Sequence, residues 1–168
     1  MSVTLQDRLV ELLGQWEEVG LPARYEIEEA AQDILRWKNQ TGIDGLWAHS
    51  PLMITATLDD AVGQGLHLIH LVAEMAGIRV MPLGILQPPE TIVQECHQHH
   101  PDLLGLTVLR FTAAEDLEYI GHNLPPGTKL IVGGTSIFQA DPELARRTGV
   151  HFLAKDAAAF LRFLLDFG

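Results

Sequence analysis

Three short stretches of this 168-residue chain hold the residues whose types and spacing suit a ligand. "LDDAVGQG", Leu58 to Gly65, sets two carboxylates, Asp59 and Asp60, beside glycine-spaced apolar residues. "TVLRFT", Thr107 to Thr112, opens on a hydroxyl. "GGTS", Gly133 to Ser136, offers backbone that a ligand can approach closely, because glycine has no Cβ and tolerates positive φ. Adjacent carboxylates suit a hard cation such as Mg²⁺. None of the three stretches brings an activated nucleophile or a paired acid and base, so their chemistry is that of holding a ligand. Two further groups carry metal-ligating side chains: His67 and His70, three apart, and Cys96, His97, His99 and His100, all near one helix end. The plainer reading of both is structural. Neither spacing completes a ligand set, and histidines at a helix C-terminus interact well with its dipole when charged.

The elements that position these stretches follow from periodicity. Residues 3 to 39 read as two helices. The first has an apolar stripe of Leu5, Leu9, Leu12, Leu13 and Trp16, and the second has Ile27, Ala30, Ala31, Ile34 and Leu35. Gly20 and Pro22 separate them, and "NQTGIDG" closes the second, leaving residues 39 to 50 as a linker. From Leu52 strands and helices alternate. "LMITAT", "IRVMPL", "LLGLTVL", "KLIVGG" and "VHFL" read as strands. Gln64 to Ala76, "PPETIVQECHQHH", Ala113 to Leu124, "PELARRT" and Asp156 to Phe167 read as helices. Such alternation predicts an α/β, flavodoxin-like doubly wound parallel sheet of order 2-1-3-4-5 behind an N-terminal helical hairpin. The domain division expected is 1–50 for hairpin and linker and 51–168 for the α/β domain. In such sheets ligands bind beyond the C-terminal strand ends, near the switch point between strands 1 and 3, which is where the three stretches fall.

Composition narrows the partners. The chain carries 22 Asp+Glu against 11 Lys+Arg, a net charge of −11, which disfavours nucleic acid and anionic membrane surfaces. A single cysteine, Cys96, allows no internal disulfide and suits a reducing compartment. The N-terminal stretch has Asp7 and Glu11 among its apolar residues, unlike a signal peptide, and no apolar run is long enough to span a bilayer. A cytoplasmic location is the expectation.

Two ligand classes suit the geometry. A phosphorylation receiver would use Asp59 and Asp60 for Mg²⁺ and Lys155 after strand 5, but it needs a phosphoacceptor carboxylate at the end of strand 3. Thr107, Val108 and Leu109 stand there. A pseudo-receiver that binds a partner survives this objection.

The second class matches more positions. From Leu52 onward the chain resembles the cobalamin-binding domain of corrinoid proteins, methionine synthases and B12-dependent mutases. The family's D-x-H-x-x-G falls on Asp60, Val62 and Gly65. Its S-x-L falls on Thr107-Val108-Leu109, and its G-G on Gly133-Gly134, followed here by Thr135. Its G-A-D-x-x-A-x-D-A falls on "GVHFLAKDA", which keeps Gly149, Ala154, Asp156 and Ala157. The resemblance covers roughly residues 52 to 165.

The resemblance implies cobalamin as cofactor, with Asp60, Val62, Gly65, Thr107, Leu109, Gly133, Gly134, Thr135, Ala154 and Asp156 around it. It also implies a difference. The family's histidine gives the cobalt its lower ligand, with the aspartate orienting the imidazole, and Val62 has no lone pair to give. A bound cobalamin would therefore keep its own base, and Asp60 would be left to cap the following helix. The protein supplies no metal ligand in this reading. Three outcomes stay open: a base-on corrinoid, another flat tetrapyrrole such as haem, or no cofactor and a sensor or interaction module on the same fold. Independent catalysis is not expected. A carrier role toward a methyltransferase is the natural version of the first outcome, and pairing of two N-terminal hairpins in a homodimer would complete a four-helix bundle.

Overall fold

The computed structural model describes residues 2–20, 22–59, 64–108, 113–134, 138 and 141–167. They form two compact units. One comprises Met1–Pro51, Leu66–Arg79 and Asp156–Gly168; the other comprises Leu52–Gly65 and Val80–Lys155. Among the described residues no helix is long and apolar enough to cross a membrane.

The first unit is helical. Helix α1 (Leu5–Val19) starts on a capping box: the Asp7 N–H donates to the Thr4 hydroxyl at 3.1 Å, and the Thr4 N–H donates to the Asp7 carboxylate at 3.0 Å. Each bond satisfies a donor that a helix start would otherwise leave open. They also hold the Asp7 carboxyl below its ordinary pKa. Leu5, Leu9, Leu13 and Trp16 are buried, while Leu12 is only half-buried. Helix α2 (Arg24–Thr41) buries Ile27, Ala31 and Ile34, and the stripe ends on Lys38, 8% exposed. Lys38 Nζ donates to the carbonyls of Glu74 at 2.9 Å and Met75 at 3.4 Å. These lie in the last turn of α3 (Gln64–Ala76), whose carbonyls have no intrahelical partner. Burial pushes the ammonium pKa down, while the proximity of Asp44 and Glu74 opposes that.

Residues 39 to 50 are fastened within this unit. The Leu46 N–H donates to the Ala76 carbonyl at 2.8 Å. Trp47 Nε1 donates to the Phe167 carbonyl at 2.8 Å and its ring meets the Phe167 ring edge-on. Gly45 lies so close to Gly77 that a Cβ on Gly77 would come within 2.4 Å of the Gly45 Cα. The last helix, α7 (Ala157–Asp166), packs against α1 and is tied to it by the Arg162–Glu17 ion pair. Asp156 caps α7, accepting from the Ala159 N–H at 2.8 Å.

The second unit carries the sheet: β1 (Leu52–Thr57), β2 (Arg79–Gly84), β3 (Leu103–Thr107), β4 (Lys129–Gly133) and β5 (Phe152–Ala154). Their order is β2-β1-β3-β4-β5, with parallel pairing of β1, β3, β4 and β5. This is the expected doubly wound, flavodoxin-like topology. Strand β1 is buried at five of its six positions and β3 at four of five, as interior parallel strands require. Pro82 has no N–H to offer a ladder and falls in β2, at the sheet edge. Helices α4 (Pro89–His99), α5 (Ala114–Asn123) and α6 (Leu144–Thr148) follow β2, β3 and β4, α4 packing on α5 and α5 on α6. One sheet face, with Ile54, Ala56, Leu104, Leu106, Leu130 and Val132, forms a core with Ile92, Val93 and Cys96 of α4 and Leu117 and Ile120 of α5.

Register is set where β1, β3 and β4 begin. The Asp102 N–H donates to the Leu52 carbonyl and its carboxylate accepts from the Leu52 N–H, both at 2.9 Å. The Asp102 carbonyl accepts from the Lys129 N–H at 3.0 Å.

Two helical glycines should answer alanine oppositely. A Cβ on Gly121 would sit 1.6 Å from the Thr148 carbonyl oxygen, whereas one on Gly14 meets nothing. Gly121→Ala should destabilise by about 1–3 kcal/mol through forced backbone displacement. Gly14→Ala, on an exposed helix position, should stabilise by about 0.5–1 kcal/mol. Urea unfolding followed by circular dichroism measures both. Equal effects would show that the α5–α6 approach is looser than described.

Candidate ligand site at the sheet edge

The C-terminal ends of four strands are level. Thr57 pairs with Thr107, Thr107 with Gly133 and Gly133 with Ala154, so one line of residues crosses β1, β3, β4 and β5. In-register residues of parallel strands point the same way. The line therefore shares the sheet face of Met53, Thr55 and Gly105, opposite the core of α4 and α5. Thr57 and Ala154 are buried, and Thr107 and Gly133 are half-buried. The Thr57 hydroxyl is engaged, donating to the Asp59 carbonyl at 2.9 Å. The Thr107 hydroxyl makes no hydrogen bond among the described residues.

The two glycines at the end of β4 differ in what the backbone asks of them. Gly134 has φ of 82°, where an L side chain is strained. Gly133 has no such φ, and among the described residues the atom nearest a Cβ there would be the Ala154 carbonyl oxygen at 3.7 Å, an ordinary contact. A tight turn accounts for Gly134. Nothing among the described residues needs Gly133 to be glycine.

Of the other positions on which the resemblance falls, Gly65 is the second residue of α3, and Asp156 is the α7 cap. Asp60, Val62, Leu109 and Thr135 lie outside the described residues. At the end of β3, where a receiver needs its carboxylate, the structure has Thr107, and Lys155 is exposed beyond β5.

The loop after β2 was not singled out from the sequence, yet it reaches the same edge. The Gln87 N–H donates to the Thr57 carbonyl at 3.0 Å, and the Leu86 N–H to the Asp59 carbonyl at 3.3 Å. The available signal was an apolar pair between a glycine and two prolines, "GILQPP".

The histidine and cysteine groups are spoken for. His67 Nε2 lies 3.5 Å from the Glu28 carboxylate, and burial pushes the half-buried His70 imidazole pKa down. Cys96 is in the core, and burial pushes its thiol up to about 12, far from a ligating thiolate. His97 Nε2 is 2.6 Å from the Asn123 carbonyl, His99 pairs with Glu95 at 3.3 Å, and His100 ends α4. Among the described residues, no three His, Cys, Asp or Glu side chains are grouped to hold a metal ion.

The crystal structure of a cobalamin-binding protein from Desulfitobacterium hafniense DCB-2 matches with a TM-score of 0.75, over 94% of this chain and 77% of that one. This chain has the fold of cobalamin-binding proteins. Identity in that match is 19%. The monomethylamine corrinoid protein of Methanosarcina barkeri matches at TM-score 0.59 and 17% identity, over 96% of this chain and 79% of that one. The methanol:cobalamin methyltransferase complex MtaBC of the same organism contains a chain that matches at TM-score 0.67 and 11% identity, over 97% of this chain and 66% of that one. No family model and no curated protein matches the sequence.

The glycine pair gives a direct stability test. Gly133→Ala should leave stability unchanged or raise it by up to about 1 kcal/mol, since the Cβ fits and the unfolded chain loses freedom. Gly134→Ala should cost about 1–2 kcal/mol for placing a side chain at positive φ. Comparable losses from both would mean that the fold itself demands Gly133.

Proposed function

We propose that this chain is a corrinoid-binding carrier module that holds cobalamin without a protein ligand on the cobalt, leaving the cofactor base-on. The observation that carries the reading is the level strand edge. A half-buried hydroxyl without a partner among the described residues, Thr107, lies beside a glycine that its own surroundings do not require, Gly133. That edge belongs to a fold shared with a cobalamin-binding protein, a corrinoid protein and a cobalamin methyltransferase complex. When bound, cobalamin supplies a cobalt centre able to carry a methyl group.

In this reading the chain's own residues bind and orient. Thr107 offers a hydrogen bond at the end of β3, and Gly133 lets the ligand meet backbone. Asp60, Gly65, Leu109 and Thr135 complete the surroundings through their places in the resembling motifs, with Gly134 and Ala154 beside them. Val62 removes the one side chain that would ligate cobalt, since a valine has no donor pair. Asp60 is then left with no imidazole to orient. Capping already accounts for Asp156. The chain works as the cofactor-bearing partner of a separate enzyme, a methyltransferase by analogy with the complex among its fold neighbours.

The test is direct. Purified apo-protein is mixed with hydroxocobalamin, methylcobalamin and haem in turn, desalted, and its visible spectrum recorded. Retained base-on corrinoid absorption is expected. Retention of haem alone, or of nothing, would overturn the reading.

A second variant checks the position of the missing ligand. Val62→His should move the bound corrinoid spectrum toward histidine ligation. An unchanged spectrum with corrinoid bound would mean that position 62 does not lie below the cobalt.

A further inference from the structure

Two non-glycine residues among those described adopt positive φ, Leu86 at 54° and His100 at 48°. His100 has an evident reason: it ends α4 and its N–H donates to the Cys96 carbonyl at 2.8 Å. Leu86 ends no helix. A bulky side chain in this region is an outlier that persists only when its surroundings impose it. Here they do. Gly84 turns the chain at φ of 106°, and the Leu86 and Gln87 N–H groups are held by the Asp59 and Thr57 carbonyls. The Gln87 side-chain amide donates back to the Ile85 carbonyl at 3.2 Å, and Pro88 and Pro89 follow at once. So much fixing presents two large apolar side chains to solvent: Ile85 is 50% exposed and Leu86 56%.

Strain held at a surface, with apolar side chains uncovered, is unfavourable for the free chain alone. The strain and the exposure have the same address. Thr57, whose carbonyl anchors the loop, opens the line through Thr107, Gly133 and Ala154. We infer that Ile85 and Leu86 form a preset apolar shoulder against which the rim of the bound corrin macrocycle rests, an assignment that depends on the corrinoid reading above. A corrin ring carries methyl groups around its edge, and covering them against aliphatic side chains removes both from water. Fixing the loop beforehand spares the entropy of ordering it on binding.

Leu86→Asn tests this, since asparagine accepts left-handed φ and removes the apolar surface. Ile85→Ser is its companion, so a poorly folded first variant does not end the test. Hydroxocobalamin is titrated into full-length wild type and each variant, following absorbance, with thermal unfolding of each apo-protein alongside. The expected result is a melting temperature for Leu86→Asn no lower than wild type and a Kd weakened roughly tenfold, the scale of losing one half-covered aliphatic contact. Kd values within twofold of wild type in both variants would overturn the shoulder, including the case where they lose affinity for a partner protein instead. Wild-type protein that retains no cobalamin overturns the function, and the shoulder with it.

Discussion

Asp102 holds the starts of three strands in step. Its N–H and carboxylate clamp both backbone groups of Leu52, and its carbonyl takes the Lys129 N–H. Side chains in a strand alternate with period two, so a slip of one residue would turn Thr107 and Gly133 toward the core and bring Leu106 and Val132 to the other face. The level edge at the far end of the sheet, and every role argued for it, depends on the register fixed at this end. An exposed aspartate at one end of the sheet thus governs which face Thr107 and Gly133 take at the other.

Much of this was legible in the sequence, for stated reasons. Strand β1 and helix α3 begin and end where the apolar run and the glycines place them. Alternation predicts the parallel sheet, and the order 2-1-3-4-5, one of the common doubly wound orders, is the one observed. Strand β5 starts at Phe152 and not at Val150, where the apolar pattern puts it, because that pattern does not show that the His151 N–H is given to the Leu130 carbonyl before the ladder starts. Lys38 is not legible as buried, because a lysine in an apolar stripe reads as the stripe's end. It is instead the stripe's last member, its charge offset by carbonyls that become neighbours only on folding. The close approaches of Gly45 to Gly77 and Gly121 to Thr148 join segments distant in sequence, and a glycine does not announce what it lies against. At the candidate site, the family resemblance named Thr107, Gly133 and Ala154, which the structure sets on one line across the sheet. The resemblance gave no hint of the loop after β2, whose importance rests on a backbone angle.

The fold neighbours share between 11% and 19% of their residues with this chain. What the fold requires is set by packing: buried parallel strands, crossover helices and a level edge near the point where strand order reverses. Those constraints admit many apolar side chains of similar volume.

The joint between Gly45 and Gly77 has a further consequence. Two copies of a protein can trade an identical element when the segment leading to it swings open as a hinge. Here that segment is pinned by backbone contact, by the Leu46–Ala76 hydrogen bond and by Trp47 on Phe167. Releasing α1 and α2 for exchange means undoing all three together with the Lys38 cap. Domain swapping through residues 39 to 50 is thereby disfavoured, so any pairing of the helical hairpins between copies has to be made by surfaces meeting, with each chain keeping its own helices.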